Sequence, residues 1–389
     1  MNLVIHDLSS EEWNKIEDNY EGWNVISNSG KIKPCIGCFG CWVKTPGRCV
    51  IKDGYERTGS LYAQAEEVVI ISRFTFGGFS SFVKNVIDKS INWSQPYFEI
   101  RNNEMHHIKR YNHSFDLKVH FYGDGITKEY EEQAEKYAKA VCTNYGVNLK
   151  CVDFNAIHGH TLAVEEKTQH IPSKKTLLLN CSLKGSNSNS RTFLEIVNSK
   201  LDSEAELVNL GEYLNRYSEL TDLVKSAEKL VFAMPLFVDG MPSVAVRLME
   251  ELYIHDNGGS KKVYVISNQG FYESKQSSNL LSQVKNWAKQ TGYKYCGGMA
   301  IGAGEMLGLL IRKGIPQRGP ARNVFNGLYA MADAIAKGEK FEDMYVEPYK
   351  FPRFMYMSTG NKMWPQRAKA FGVSKKDMLK PDTNDKTGE

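Results

Sequence analysis

The chain has no run of about eighteen consecutive apolar residues, so the sequence predicts no transmembrane helix. Its polar beginning, MNLVIHDLSSEEW, does not read as a secretory signal peptide. An excess of one charge is also missing, because the formal net charge of the 389 residues is only +4. Nucleic-acid-binding proteins usually need a concentrated basic face. These absences predict a cytoplasmic protein whose partners include neither a membrane nor a nucleic acid.

Cysteine is scarce outside one short stretch. Four of the eight cysteines stand in PCIGCFGCWVKTPGRC, residues 34–49. Structural disulfides are rare in the cytoplasm, so clustered cysteines there are more often metal-binding or redox-active. The remaining cysteines are scattered and are predicted to be buried free thiols. They are Cys142, Cys151, Cys181 and Cys296.

Strand-like apolar runs alternate with helical patterns in both halves of the chain. The strand-like runs are 3–8, 67–72 and 117–123 in the first half and 175–182, 229–235 and 261–270 in the second. Helical spacing of apolar residues occurs at 129–146 and 278–292. Strands that alternate with helices form a parallel sheet covered on both faces. The sequence therefore predicts an α/β protein with two doubly wound parallel sheets.

An internal repeat relates the two halves. Residues 65–88 align without gaps to 227–250, and the paired residues Ala65/Ala227, Glu66/Glu228, Gly78/Gly240 and Ser81/Ser243 are identical. The first half is about twelve residues longer before this segment, in the interval that contains the cysteine-rich stretch. A tandem duplication is predicted. Its parts are a domain at 1–160 with the cysteine-rich loop, a linker at 161–174, a domain at 175–340, and a C-terminal extension at 341–389 with a disordered end.

Three polar loops of the second half follow predicted strands. In an open doubly wound sheet, ligands bind at the carboxyl ends of the strands. The loop NCSLKGSNSNSRTF, 180–193, carries hydroxyl and amide groups into a helix, which suits a phosphate monoester; a turn that only caps its helix is the alternative. The loops at 234–243 and 267–276 follow the next two strands. Together they predict a site for a flat ring that bears a phosphate.

These loops resemble those of the flavodoxin-like NAD(P)H-dependent FMN reductases, a group that includes the iron–sulfur flavoproteins. The resemblance covers roughly 1–160 and 175–335 and implies two flavodoxin-like sheets in tandem, as an internal pseudo-dimer, plus a C-terminal strap. The sequence departs from the family pattern at Cys181 and Leu183, and at Lys184, where arginine is frequent. The residues that it implies for FMN are Ser182, Lys184, Ser188, Asn189 and Ser190 for the phosphate, Pro235, Leu236, Phe237, Val238, Asp239 and Gly240 for the ring, and Asn268, Gln269 and Gly270 for its pyrimidine edge.

The first half departs further from this family. Its first loop, HDLSSEEW, has Glu11 and Glu12 where a phosphate would lie. Two carboxylates beside a phosphate dianion cost several kcal/mol at reduced dielectric constant. We therefore expect only the second half to bind FMN. The first half would wall that site with aromatic residues and cysteines, and association of the fused pair into a homo-oligomer stays open.

The cysteine-rich loop has the spacing C-x2-C-x2-C, with a fourth cysteine after seven more residues. Such spacing lets consecutive thiolates converge on one cluster, as in ferredoxin-type sequences. The resemblance implies a [4Fe–4S] cluster. A structural zinc ion and thiols or a redox pair without metal remain alternatives. The candidate ligands are Cys35, Cys38, Cys41 and Cys49.

The resemblance also implies a reaction. FMN would accept a hydride from NAD(P)H and pass electrons to a small-molecule or protein acceptor, directly or through the cysteine-held centre. The cofactor would carry the chemistry, so no catalytic side chain is predicted. The alternatives are a flavodoxin-like electron carrier without enzymatic activity and a metal- or redox-sensing module with no turnover.

Overall fold

The structure is a computed structural model, and it describes residues 1–28, 31–164, 176–201, 205–256, 259–315 and 317–382. The predicted linker is therefore described only as far as residue 164. The predicted disordered end lies outside the described residues from 383 onward. No helix among the described residues has both the length and the apolar character needed to cross a membrane.

The described residues of the first half form eight strands and five α-helices. The strands are β1 (Leu3–His6), β2 (Asn24–Ser27), β3 (Glu67–Thr75), β4 (Gly78–Phe79), β5 (Ser94–Arg101), β6 (Glu104–Lys109), β7 (Asp116–Tyr122) and β8 (Asn148–Phe154). The helices are α1 (Ser10–Trp13), α2 (Gly40–Val43), α3 (Thr58–Gln64), α4 (Ser81–Lys89) and α5 (Lys128–Tyr145). A parallel sheet has the order β2-β1-β3-β7-β8, and β5 and β6 form a separate antiparallel pair.

The second half of the chain repeats this plan. Its strands are β9 (Thr176–Asn180), β10 (Glu206–Asn209), β11 (Lys229–Pro235), β12 (Lys262–Asn268), β13 (Lys294–Ile301) and β14 (Met344–Val346). Its helices are α6 (Asn189–Asn198), α7 (Tyr217–Lys225), α8 (Ser243–His255), α9 (Ser278–Thr291), α10 (Gly304–Arg312), α11 (Arg322–Lys337), α12 (Arg353–Lys369) and α13 (Lys375–Leu379). All neighbouring strands of the order β10-β9-β11-β12-β13-β14 are parallel.

When only the strands along each sheet are counted, with β4 left out because it pairs with β3 off this path, both sheets have the order 2-1-3-4-5, which is the flavodoxin-like order, and β14 adds a sixth strand to the second sheet. In the second sheet, alternate residues of one strand pack on opposite faces, as the pleat requires. Leu177 and Leu179 belong to the core formed with α7, α8 and α9, whereas Leu178 belongs to the core formed with α6 and α11. The predicted fold class, two doubly wound parallel sheets in one chain, is confirmed.

The chain divides into two compact units that do not follow the sequence strictly. The first comprises Met1–Phe74, Phe82–Thr161 and Met357–Glu389, and the second comprises Thr75–Ser81 and Leu162–Tyr356. The loop after β3 thus belongs to the second unit. There, Phe76 is buried in the core, and its carbonyl accepts a hydrogen bond from Asn286 Nδ2 at 3.1 Å.

The four scattered cysteines are free thiols. Cys142, Cys181 and Cys296 are buried as predicted, whereas Cys151 is half-buried. Cys151 lies on β8, at the edge of the first sheet, where a strand has a neighbour on only one side.

Candidate functional site

The candidate site lies in the second unit, at the carboxyl ends of β9, β11 and β12. In the sheet, β10 lies next to β9 at one edge, whereas β11 lies next to β9 on its opposite side, so the chain reverses its direction across the sheet after β10. This change of direction is the topological switch point, where open α/β sheets bind ligands. The loops that leave β9 and β11 therefore flank the expected binding position.

The loop after β9 is folded around Asn180, the last residue of that strand. Asn180 Oδ1 accepts hydrogen bonds from the Ser182 N–H at 3.2 Å and from Ser188 Oγ at 3.2 Å. Its Nδ2 donates to the carbonyl of Gly185 at 3.0 Å and to Asn209 Oδ1 at 3.0 Å. One buried amide therefore fixes the shape of the predicted phosphate loop. Sequence reasoning did not single out Asn180, although a polar residue that ends an apolar strand was an available signal.

The loop leads directly into the start of α6. Ser188 is the N-cap, and its Oγ accepts the N–H of Arg191 at 3.1 Å. The first turn of α6 contains no acidic residue. The amino end of a helix carries a partial positive charge and unpaired N–H groups, which together favour an anion. The start of α6 is thus suited to a phosphate group.

Two predicted phosphate-loop residues have side-chain partners from other loops. Ser190 Oγ accepts a hydrogen bond from Asn268 Nδ2 at 2.7 Å, which ties the start of α6 to the end of β12. Asn189 Nδ2 donates to Glu305 Oε2 at 3.2 Å, and its Oδ1 accepts from Arg312 Nη1 at 2.8 Å. These two residues therefore shape the site. Helix α10, which supplies Glu305 and Arg312, was not foreseen from the sequence.

The loop after β11 makes a tight turn. Phe237 and Gly240 exchange two backbone hydrogen bonds of 3.1 Å each, and Val238 and Asp239 between them have φ values of 41° and 59°. Two consecutive positive φ values are typical of a type I′ turn. A β-branched residue such as valine is rarely found there, and backbone strain of this kind is concentrated at functional sites. Pro235 precedes the turn and is half-buried.

The apolar part of this loop remains accessible. Leu236, Phe237 and Val238 are half-buried, whereas Asp239 and Gly240 are buried. The N–H of Leu236 donates to the carbonyl of Asn268 at 2.8 Å, so the loops after β11 and β12 are joined. The three half-buried side chains could form one wall for a flat apolar ring.

In the loop after β12, the side chain of Gln269 is buried in the fold and Gly270 is exposed to solvent. The Gln269 amide is buried; it donates to Gln276 Oε1 at 3.4 Å and to the carbonyl of Glu273, and it accepts from Ser277 Oγ at 3.1 Å. Gly270 is exposed, and a Cβ added to it would meet no atom within 4 Å. The space beside the Gly270 Cα is therefore open, whereas its carbonyl accepts the Tyr356 hydroxyl at 2.5 Å and the side chain of Gln269 is used within the fold.

The residues at this site fit a ring that bears a phosphate. The half-buried Lys184 and Arg191 and the nearby Arg312 provide cations around the start of α6, while the carboxylates of Glu195 and Glu305 pair with Arg191 and Asn189. The loops after β11 and β12 provide apolar and backbone surface. The structure thus joins all three predicted loops in one unit, through Asn268, at the expected edge of the sheet.

In the corresponding loop of the first unit, the groups at the start of the helix bind the carboxylate of the loop's own Glu12. The Glu12 carboxylate accepts hydrogen bonds from Ser9 N–H and Oγ at 2.8 Å each and from His160 N–H at 2.6 Å and Nδ1 at 3.1 Å. Burial alone would raise the pKa of Glu12, but these hydrogen bonds lower it to about 2. A phosphate at the start of α1 would meet this ionised carboxylate.

The four clustered cysteines lie between β2 and α3. Phe39 and Gly37 have positive φ values of 59° and 65°, which turn the backbone between the first cysteines. The Gly40 N–H donates to Cys38 Sγ at 3.4 Å, and the Ile51 N–H donates to Cys49 Sγ at 3.5 Å. In the part of the chain that the structure describes, no three His, Cys, Asp or Glu side chains form a group that could hold a metal ion. The metal-ligand assignment therefore stays a prediction.

Burial controls the protonation of these thiols. It raises the pKa of Cys35 to about 12, raises that of Cys41 well above its ordinary value, and also raises that of Cys49. The neighbouring cysteines raise the first two further, because a second thiolate nearby disfavours ionisation. A reactive thiol needs a lowered pKa, so in this protonated form these three thiols are poor nucleophiles.

No protein-family model matches the chain, and no curated protein matches it in sequence. Among solved structures it is similar to a flavone reductase, at 14% identity and a TM-score of 0.33, over 43% of this chain and 66% of that one. It is also similar to an FMN-dependent NADH-azoreductase from Bacillus anthracis str. Ames Ancestor in complex with FMN, at 16% identity and a TM-score of 0.30, over 42% of this chain and 100% of that one. A third is RosB with a bound riboflavin-phosphate intermediate, at 18% identity and a TM-score of 0.27, over 32% and 62%. The chain spans about two thirds of the first structure and less of the third, and similarity of this size says nothing about activity.

Proposed function

We propose that the protein is a flavin-dependent oxidoreductase that binds FMN in the second unit. The observation that carries the proposal is the start of α6, which lies at the switch point of the sheet and has a serine cap and no acidic residue in its first turn. The loops after β11 and β12 are fastened beside it by Asn268. A phosphate-bearing planar cofactor is the ligand that this combination suits best.

The residues of the chain would bind and orient this cofactor. The first-turn N–H groups of α6, with Lys184 and Arg312, would hold the phosphate. Leu236, Phe237 and Val238 would cover one face of the ring and exclude water, and the backbone at Gly270 would lie at its pyrimidine edge. When bound, FMN supplies the capacity to accept and donate electrons, so the protein's contribution is position and electrostatics.

We further propose that NAD(P)H is the electron donor and that a small molecule or a protein is the acceptor. The experiment is to titrate FMN into the apoprotein by fluorescence quenching and then to mix the complex anaerobically with NADH or NADPH. Binding followed by bleaching of the flavin absorbance supports the oxidoreductase. Binding without bleaching favours the electron carrier, and failure to bind FMN contradicts both.

The [4Fe–4S] cluster remains a separate proposal for the four clustered cysteines. Their spacing supports it, and so do the N–H···S bonds to Cys38 and Cys49, because such bonds stabilise cluster thiolates. Iron and sulfide analysis after anaerobic purification tests it, with Cys38→Ser expected to remove the iron and Cys151→Ser as the matched control. Zinc alone would contradict the cluster. Iron without any reduction of FMN would favour a sensing module.

The pairing of the two halves as an internal pseudo-dimer, and any further homo-oligomer, are also proposals. Light scattering of the purified full chain distinguishes a monomer of 44.1 kDa from a larger assembly. A mass of about twice that value would support further association.

A further inference from the structure

Asp382, near the end of the described chain, is bound by two arginines of the first unit. Arg48 donates from Nε to Asp382 Oδ2 and from Nη2 to Oδ1, both at 2.8 Å. Arg57 donates to the same two oxygens at 3.0 and 3.4 Å. The Asp382 side chain is only 6% exposed. Two guanidinium groups therefore enclose one carboxylate, a geometry that serves for carboxylate and phosphate recognition.

A third arginine fixes the chain just before Asp382. Arg110 Nη1 donates to the carbonyls of Met378 and Lys380 at 2.8 and 2.9 Å. Its buried Nη2 has no hydrogen-bond partner among the described residues. The approach is also close at Gly47, where an added Cβ would lie 2.8 Å from Asp382 Cβ. The C-terminal segment is therefore held at a defined position on this surface.

Arg48 and Arg57, which bind Asp382, also line a pocket of about 430 Å³ in the first unit. Its lining residues are Lys44, Thr45, Arg48, Cys49, Val50, Lys52, Glu56 and Arg57. Four of these are cations and one is a carboxylate. The Glu56 carboxylate accepts the N–H groups of Asp53 and Gly54 at 2.7 and 3.2 Å, so it is engaged in a local turn. With Asp382 counted, the pocket keeps an excess of two positive charges.

We propose that this pocket binds a small organic phosphate, with its phosphate group between Arg48 and Arg57, and that Asp382 occupies the position of that group in the described conformation. A carboxylate carries one negative charge and leaves the excess uncompensated, whereas a phosphate monoester carries close to two. The volume lies within the usual range for small-ligand sites and exceeds what a phosphate ion alone would fill. This proposal does not depend on FMN binding, because no residue of the pocket belongs to the loops of the second unit.

The arrangement makes the C-terminal segment an internal competitor. A phosphate that enters between the two arginines has to displace the Asp382 carboxylate, so the apparent affinity is reduced by the fraction of molecules in which the position is filled. Removal of the charge of Asp382 should therefore strengthen binding. Removal of the arginines should abolish it.

The test is calorimetric titration of the full-length protein with inorganic pyrophosphate. We expect Asp382→Asn to bind about tenfold more tightly than the wild type. Asp377→Asn is the matched control, because Asp377 lies on α13 nearby and pairs with Lys380 instead; it should bind as the wild type does. Acetate, a monoanion, should bind at least tenfold more weakly than pyrophosphate in every variant.

The site is located by combining Asp382→Asn with Arg48→Ala and Arg57→Ala, which should abolish the heat of binding while the circular dichroism spectrum stays unchanged. If the variant that lacks both arginines unfolds, Arg48→Lys in the Asp382→Asn background provides the second measurement. Lysine keeps the positive charge but lacks the two-pronged guanidinium group, so binding should weaken. Absence of binding in Asp382→Asn, or binding that persists without the arginines, overturns the proposal.

Pyrophosphate could also bind at the start of α6, so each titration is repeated with saturating FMN. Heat that FMN abolishes belongs to the second unit and counts against the pocket. Heat that survives FMN and disappears with the arginines supports it. If FMN does not bind at all, the proposed function fails while the pocket result stands by itself.

Discussion

The loops that follow the first strand of each sheet, after β1 and after β9, occupy the same topological place but differ in charge at the start of the helix that follows. Both helices begin with a serine cap, Ser9 before α1 and Ser188 before α6. Three residues later the first loop has Glu12 and the second has Arg191. The first helix start is therefore occupied by a carboxylate of its own, and the second is surrounded by cations.

This difference predicts that, of the two similar sheets, only the second has a helix start open to an anion. A Glu at the third position of a helix completes a capping box and satisfies the orphan N–H groups that an anion would otherwise use. Arg191 cannot do this, and its side chain pairs outward with Glu195 at 2.8 Å. We therefore expect the side chain at this third helical position to influence strongly whether a phosphate can bind at the helix start.

The largest effect is expected from Arg191→Glu, which gives α6 the arrangement found in α1. A carboxylate about 4 Å from a phosphate charge costs about 4 kcal/mol at an effective dielectric constant of 20. We expect the affinity for FMN to fall by about 100- to 1000-fold in a fluorescence titration.

The matched control is Arg191→Gln, which can also cap the helix but carries no charge. Its affinity for FMN should stay within about threefold to tenfold of the wild type, since only one cation is lost. Equal affinity in Arg191→Glu and wild type would show that the phosphate does not lie at α6.

The next largest effect is expected from Glu12→Gln in the first loop. The charged acceptor of four hydrogen bonds is replaced by a neutral one, so the free energy of unfolding should fall by about 1–3 kcal/mol. Urea unfolding followed by circular dichroism measures it. Glu11→Gln is the control, because its side chain is 85% exposed and pairs only with Lys15; a loss of the same size there would contradict a special role for Glu12.

The same carboxylate predicts a pH dependence. The pKa of Glu12 is lowered from 4.5 to about 2 in the folded chain, so its stabilising contribution is complete above about pH 4.5 and is lost as the pH falls toward 2. The difference in unfolding free energy between wild type and Glu12→Gln should be constant near neutrality and shrink within this window. A difference that does not change between pH 5 and pH 2.5 would exclude this explanation.

The smallest effects are expected from the two caps. Ser9→Ala and Ser188→Ala should each lower the free energy of unfolding by about 1 kcal/mol, the usual value for a lost N-cap. Only Ser188→Ala should also weaken FMN binding, because only that loop is proposed to hold the phosphate. Weakening in both variants would place a flavin in both units.

Much of the fold could be predicted because the signals are local. Apolar runs such as 229–235 read as buried strands, and the matching of 65–88 to 227–250 indicated the repeat. The repeat extends to backbone geometry, since Phe76 and Gly77 have positive φ values, as do their aligned partners Val238 and Asp239. Turn conformation depends on a few neighbouring residues, so two segments of similar sequence can share it.

Contacts between distant residues could not be predicted. The loop 75–81 reads like its partner in the second half, yet it belongs to the second unit, where Ser81 Oγ donates to the buried Glu250 at 2.5 Å. Similarly, Arg312 reaches Asn189 from a helix 123 residues away in sequence. No periodicity or spacing encodes such pairs, because they depend on how whole elements pack.

By itself, the sequence determined the class of fold, the position of three polar loops at the ends of strands, and the contrast between Glu12 and Arg191, because each depends on short-range patterns and on the order of strands. Only the tertiary structure decided that Asn180 shapes the loop after β9, that Asn268 joins this loop to its neighbours, and that Asp382 lies between Arg48 and Arg57. Those contacts arise when segments far apart in the chain pack together, and packing is a property of the folded chain as a whole.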